Sequence, residues 1–187
     1  MEIGGHRVIN PWEQVSLDEI PTGHKVIDFR TLDGLDEGGE LDGVVLTDKG
    51  LQLDPQFDPG EGPRIGTYTS PPLEPEFLVN AAGPQWKEEI PKETTLQIEL
   101  SFSLEGQNWT QWYRVEVDPH GAPEQYYPDG RPNPNFGYVI GNLIIPGTGT
   151  ERFAYYRYRL ILSSGQSSVS PTLTNLRLTY MDSTAPE

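Results

Sequence analysis

The chain of 187 residues contains no cysteine. Disulfides, thiolate zinc sites and a cysteine nucleophile are therefore excluded. It has no run of 18 apolar residues, so no segment reads as a membrane-spanning helix. Residues 1–20 lack a charged stretch followed by an apolar one, so no signal segment is legible. Histidine occurs only at His6, His24 and His120, with no G-x-S-x-G elbow and no H-E-x-x-H pair. Nucleophilic and zinc hydrolysis thus have little to work with. Basic residues are also scarce, 13 against 28 acidic ones, for a net charge of −15. A field of that sign repels phosphate backbones and anionic lipid, so neither nucleic acid nor membrane insertion is expected. It is compatible with Ca²⁺, neutral glycans and basic partners, and equally with solubility alone.

What the chain does have is turns. Its 20 glycines and 18 prolines make up about a fifth of the residues and are spread along its length, as expected where many short strands are joined. From residue 25 the hydrophobic period is two. "KVIDF" (25–29), "GVVLT" (43–47), "LQL" (51–53), "IGTYTS" (65–70) and "EFLVNAA" (76–82) read as strands. In "TTLQIELSFSL" (94–104), Leu96, Ile98, Leu100 and Phe102 share one face and Thr95, Gln97, Glu99 and Ser101 the other. "WTQWYRVEV" (109–117) pairs with it as a hairpin, and "YVIGNLIIP" (138–146), "FAYYRYRLILSS" (153–164) and "TLTNLRLTYM" (172–181) complete the set. Nine to ten strands with almost no helix predict an all-β antiparallel sandwich. Residues 1–24 form a lead-in, with a short helix start at Asn10-Pro11-Trp12-Glu13. The sandwich covers 25–183, and 184–187 reads as the start of a linker.

Trp109 and Trp112 stand three apart, so in a regular strand they face opposite sides unless a bulge intervenes. Trp109 is in phase with Tyr113 and Val115, and is expected to close the core. Trp112 is in phase with Arg114 and Glu116, which leaves its role open between packing and an exposed ring. Residues 118–137 run about twenty residues with five prolines and no periodic pattern, a length that is usually functional or disordered. They offer Tyr126, Tyr127 and Phe136 beside Asp129, Arg131, Asn133 and Asn135. Aromatic faces flanked by planar polar groups suit a pyranose. The same prolines and tyrosines also suit a loop packed onto its own sheet.

"GTYTSPPLE", "PQWKEEIPKETTLQIELSFSLEGQNWTQWYRV" and "FAYYRYRLILSSGQSSVSPTLTNLRLTYMDST" occur in that order. This succession resembles the galactose-binding-like jelly-roll domains that accompany secreted bacterial cell-wall amidases and papain-like peptidases. The resemblance covers roughly residues 25–183, and its motifs are structural. It implies a jelly roll in a bacterial, exported or envelope protein whose signal has been removed, covalently linked to a neighbouring domain. Such modules often hold a structural Ca²⁺. The acidic stretch "DFRTLDGLDEGGELDG" supplies Asp33, Asp36, Glu40 and Asp42 as candidate ligands, without EF-hand spacing. The alternative is a solvated acidic loop.

Taken together, the expectation is a non-catalytic module that binds polysaccharide or peptidoglycan and holds a parent hydrolase near it. Its candidate contacts are Trp112, Tyr126, Tyr127, Asp129, Arg131, Asn133, Asn135 and Phe136. The alternative from another class is a structural surface protein, adhesin-like or a filament subunit, acting through protein contacts.

Overall fold

The computed structural model describes residues 20–31, 38–118 and 123–184. It also gives the backbone of two short paired strands, β1 (Glu2–Ile3) and β2 (His6–Arg7). The expected helix start at Asn10 to Glu13, and residues 185–187 of the expected linker, lie outside the described residues. The strands that follow are β3 (Thr22–Asp28), β4 (Glu40–Asp42), β5 (Val44–Thr47), β6 (Gly50–Leu53), β7 (Arg64–Thr69) and β8 (Ala81–Glu89). Then come β9 (Thr94–Ser103), β10 (Tyr113–Arg114), β11 (Val139–Ile140), β12 (Tyr155–Ser164) and β13 (Thr172–Met181).

Two antiparallel sheets form a jelly-roll β-sandwich. One runs β10-β9-β12-β7-β4; the other runs β11-β8-β13-β6-β5, with β3 also paired to β13. β13 is the hub of the second sheet. On one side it pairs with β8 along its length, and on the other β6 meets Leu173 while β3 continues from Asn175 to Met181.

Period-two patterning builds the core. Tyr156, Tyr158, Leu160 and Leu162 of β12 point inward, opposite Phe102, Leu100, Ile98 and Leu96 of β9. The second sheet answers with Leu173, Leu176, Leu178, Tyr180 and Trp86. Each fully buried side chain contributes about 1.5–3 kcal/mol relative to exposure, so Leu160→Ala, at an inward position in the middle of β12, should cost about 2–5 kcal/mol. Burial keeps the phenols of Tyr156 and Tyr158 un-ionised by pushing both well above the ordinary tyrosine value.

Four features depart from the sequence expectation. The sandwich has eleven strands among the described residues, because β4 adds an edge and β3 begins at Thr22. The strand expected at 76–82 is displaced to 81–89, with only a Val79–Phe153 bridge before it. The displaced strand contains Pro84. In the structure, Ala82 N–H donates to Ile144 and Pro84 O accepts from Gly141, both on the side of β8 away from β13. The missing imide hydrogen therefore falls on an irregular edge, where proline is tolerated. Strands 109–117 and 138–146 are regular only at Tyr113–Arg114 and Val139–Ile140. Finally, a register shift between Leu173 and Asn175 brings Leu173 onto the buried face with Leu176, where strict alternation opposes them.

Candidate functional site

Trp109 faces Ser103 in register, and Thr110 N–H donates to Phe102 O. Tyr113 then pairs with Leu100 and Val115 N–H reaches Ile98 O, one residue out of step. The extra residue is a bulge, fixed by the Thr110 hydroxyl, which accepts from Phe102 N–H and donates to Gln111 O. Its effect is to put both tryptophans on the outer face of the five-stranded sheet. Both are half-buried and neither joins the core, which corrects the expectation for Trp109. The core position falls to Tyr113, edge-on to Phe102.

Arg157 and Arg159 point outward from β12. The Arg157 guanidinium lies 4.2 Å from the Trp109 ring centre and 4.6 Å from that of Trp112, and Arg159 lies 4.4 Å from Trp112. Same-face neighbours on a strand stand about 6.6 Å apart, room for one inserted ring. Glu99, 8% exposed, ion-pairs with Arg159 and accepts from Gln97. The row Arg114, Glu99, Arg159 alternates in sign across three strands. Burial, with Arg159 alongside, pushes the Arg157 guanidinium below its ordinary value. Trp112 thus has two arginines of its own sheet against its ring, and Trp109 one.

The described stretch of the long loop is a small hairpin of its own. Tyr126 bridges Pro132, Tyr127 N–H donates to Arg131 O, and Asn133 N–H donates to Gln125 O. Arg131 pairs with Asp129 and stands over the Tyr127 ring at 5.4 Å. Tyr126 and Phe136 are exposed. Asn133 accepts from the amide of Asn135 and caps the following turn. Of the expected contacts, Asn135 bonds Arg177 of the six-stranded sheet while Trp112 lies on the outer face of the other, so the expected set does not form one surface.

Asn135 does reach a cleft. On the outer face of the six-stranded sheet, a hollow of about 640 Å³ is lined by His24, Val26, Gln85, Ile140, Arg177 and Thr179, with Pro134 and Asn135 as its wall. Arg177 Nε donates to Gln85 Oε1 at 3.0 Å, and its Nη2 to Asn135 Oδ1. Arginine is donor only, so Gln85 must turn its oxygen to this side. The Thr179 hydroxyl donates to that same oxygen at 3.1 Å. Having spent its hydrogen, Thr179 can only accept from His24 Nδ1 at 3.0 Å. The ring nitrogen Nε2 is left for the cleft. Arg177 also stacks on Tyr138 at 4.5 Å, and the Tyr138 hydroxyl donates to Asn175.

Sequence reasoning missed Arg177, Gln85, Thr179 and His24. Arg177 was visible as a cation at an outward strand position between Asn175 and Thr179. Its cleft was not, because the wall arrives from residues forty positions away. A second hollow, about 760 Å³, lies at the other end of this face under Ser167–Ser170, with Arg64 among its lining.

Of the candidate metal ligands, Asp33 and Asp36 lie outside the described residues. Glu40 and Asp42 face one side of β4, opposite Thr69 and Thr67. Two carboxylates supply at most four of the six to eight oxygens Ca²⁺ takes. Asp28 is engaged by Arg30, whose guanidinium holds its carboxyl below the usual value. Among the described residues, no three His, Asp or Glu side chains are placed to hold a metal.

Residues 27–117 match the family model of the Peptidase C39 N-terminal domain. The resemblance to accessory domains of bacterial peptidases, read from the strand motifs, is shown by this match. It spans β3 to β10, and of the cleft lining it includes Gln85 alone. No curated protein matches the chain. Among solved structures it is similar to the xylan-binding module CBM15, at 13% identity and a TM-score of 0.43, over 84% of this chain and 97% of that one.

Proposed function

We propose that this module is non-catalytic and binds a hydroxyl-rich polymer, polysaccharide or peptidoglycan, keeping a linked peptidase close to it outside the cytoplasmic membrane. The observation that carries the reading is the Arg177 cleft. Its polar groups are held in one hydrogen-bonded chain from His24 to Asn135, flanked by the apolar surfaces of Val26, Ile140 and Pro134. Preset donors beside apolar walls are what a sugar ring with its hydroxyls and C–H faces requires. His24 bonds a threonine rather than a carboxylate, so it is not oriented as a catalytic base. Tethering raises the local concentration of an enzyme near its substrate without new chemistry.

The test is sedimentation of the purified chain with peptidoglycan, cellulose, chitin and xylan, with and without Ca²⁺. A Gln85→Ala/Asn135→Ala variant is expected to lose retention, and a Tyr126→Ala/Tyr127→Ala variant to keep it. Loss in the tyrosine variant alone would move the site to the loop hairpin. Retention that needs Ca²⁺ would assign the metal to the acidic segment around Asp33, Asp36, Glu40 and Asp42. A chain that self-assembles and ignores every polymer would favour the structural-protein reading.

A further inference from the structure

We propose that the polymer taken by the cleft carries carboxylates, and that Arg177 recognises them; this rests on the binding role proposed above for the same cleft. The starting point is which arginines have acidic partners. Among the described residues, Arg30, Arg114, Arg131, Arg152 and Arg159 each pair with a carboxylate of this chain. Arg64, Arg157 and Arg177 do not. Arg64 is buried and spends Nη2 on the carbonyls of Gln166 and Val169. Arg157 is held against the two tryptophan rings. Arg177 alone of the three combines neutral side-chain acceptors, Gln85 and Asn135, with a place in the lining of the first cleft.

Among the described residues, the cleft lining contains no aspartate or glutamate, in a chain with 28 acidic residues. Lys87 adds a second cation, over the same Tyr138 ring that Arg177 stacks on. Arg177 Nη1 and Asn135 Nδ2 have no partner among the described residues, and neither is a buried orphan. Both therefore present N–H donors to solvent at the cleft. A cation with free, oriented donors and no internal counter-ion fits a planar anion with two acceptor oxygens. Charges more than about 8 Å away are largely screened at physiological salt, so the net −15 does not cancel this local preference. It instead turns an acidic polymer away from the rest of the surface.

The experiment measures the affinity of the whole chain for polygalacturonate, for the same polymer with its carboxyls amidated, and for neutral xylan. Peptidoglycan, with and without amidated peptide carboxyls, separates uronate from peptide carboxylate as the source. The expected result is about tenfold or greater preference for a carboxyl-bearing polymer, weakened by salt. Arg177→Gln should abolish that preference, and Arg131→Gln, at the hairpin tip, should leave it. Arg177→Lys keeps the charge but not the fork, so a partial preference is expected and serves if the Gln variant is unstable. Equal binding to neutral and acidic polymers would overturn this inference and leave the binding role standing. No binding in any arm would overturn the binding role itself. A carboxyl preference surviving in folded Arg177 variants would remove Arg177 from it.

Discussion

The guanidinium of Arg157 lies 4.6 Å from the centre of the Trp112 ring and has Trp109 against it as well. A ring stacked by a cation on its own sheet is unavailable to a sugar unless that contact opens. We therefore expect measurable coupling between the two residues. In a double-mutant cycle of Trp112→Ala and Arg157→Ala, followed by urea unfolding, the coupling should be about 0.5–2 kcal/mol. A coupling indistinguishable from zero would mean that Arg157 does not hold the ring and that only Arg159 stands against it.

Asn80, 2% exposed, donates from Nδ2 to Gly149 O and to Ser183 Oγ and accepts from Ser183 N–H. Asn80→Ala leaves these groups without partners where water reaches them poorly, at a cost of about 1–3 kcal/mol. Amide exchange at Ser183 should accelerate before the core strands are affected. Unchanged exchange there would show that the contact does not hold the end of the last strand.

Two glycines with positive φ should respond very differently to alanine. At Gly50, φ is 134° and an added Cβ would sit 2.3 Å from Leu173 O, backbone of the neighbouring strand. At Gly130, φ is 85° and nothing lies within 4 Å. Gly130→Ala should cost only the left-handed penalty, about 1–2 kcal/mol. Gly50→Ala should cost clearly more, because β6 must move off β13. Equal melting temperatures for the two variants would refute this.

Burial raises the Glu88 carboxyl above its ordinary value, while a hydrogen bond from the Trp86 indole pulls the other way. Between the ordinary glutamate value and the raised one, the native state holds a proton that the unfolded chain has lost. Stability contributed here therefore falls as pH rises through that window. Asp28 and Glu105 are lowered, so their contribution has the opposite sign and is lost on acidification. The melting-temperature gain of Glu88→Gln over the parent should accordingly be larger near about pH 7 than near about pH 4. A gain independent of pH would exclude titration of Glu88 as its source.

The sandwich was legible because the inward positions of β9, of β12 and of β13 from Leu176 onward alternate cleanly, and alternation survives any uncertainty in pairing. What the pattern could not carry was register. The bulge after Trp109 and the shift after Leu173 each insert one residue, and each flips the side chains beyond it. The fate of Trp109 turned on the first of these. Whether Pro84 interrupts its strand depends on which edge its nitrogen meets, a fact of the sheet and not of the segment. Within the candidate site, Asn135 was found from composition. Its partners on β13 and β8 were not, since nothing local marks Arg177 or Gln85 as neighbours of a loop.

Where β3 pairs with β13, Thr22 stands opposite Met181 and Asp182 N–H donates to Pro21 O, so the chain comes into the sandwich and leaves it at a single point. Opposite residues in such a ladder are about 5 Å apart. The chain before residue 21 and after residue 182 emerges from one edge, almost side by side. Pulled from those two positions, the strands would separate rung by rung, like a zip, instead of resisting as a block. As a mechanical element the module is a lateral branch that yields early under tension, not a link in series that carries the force.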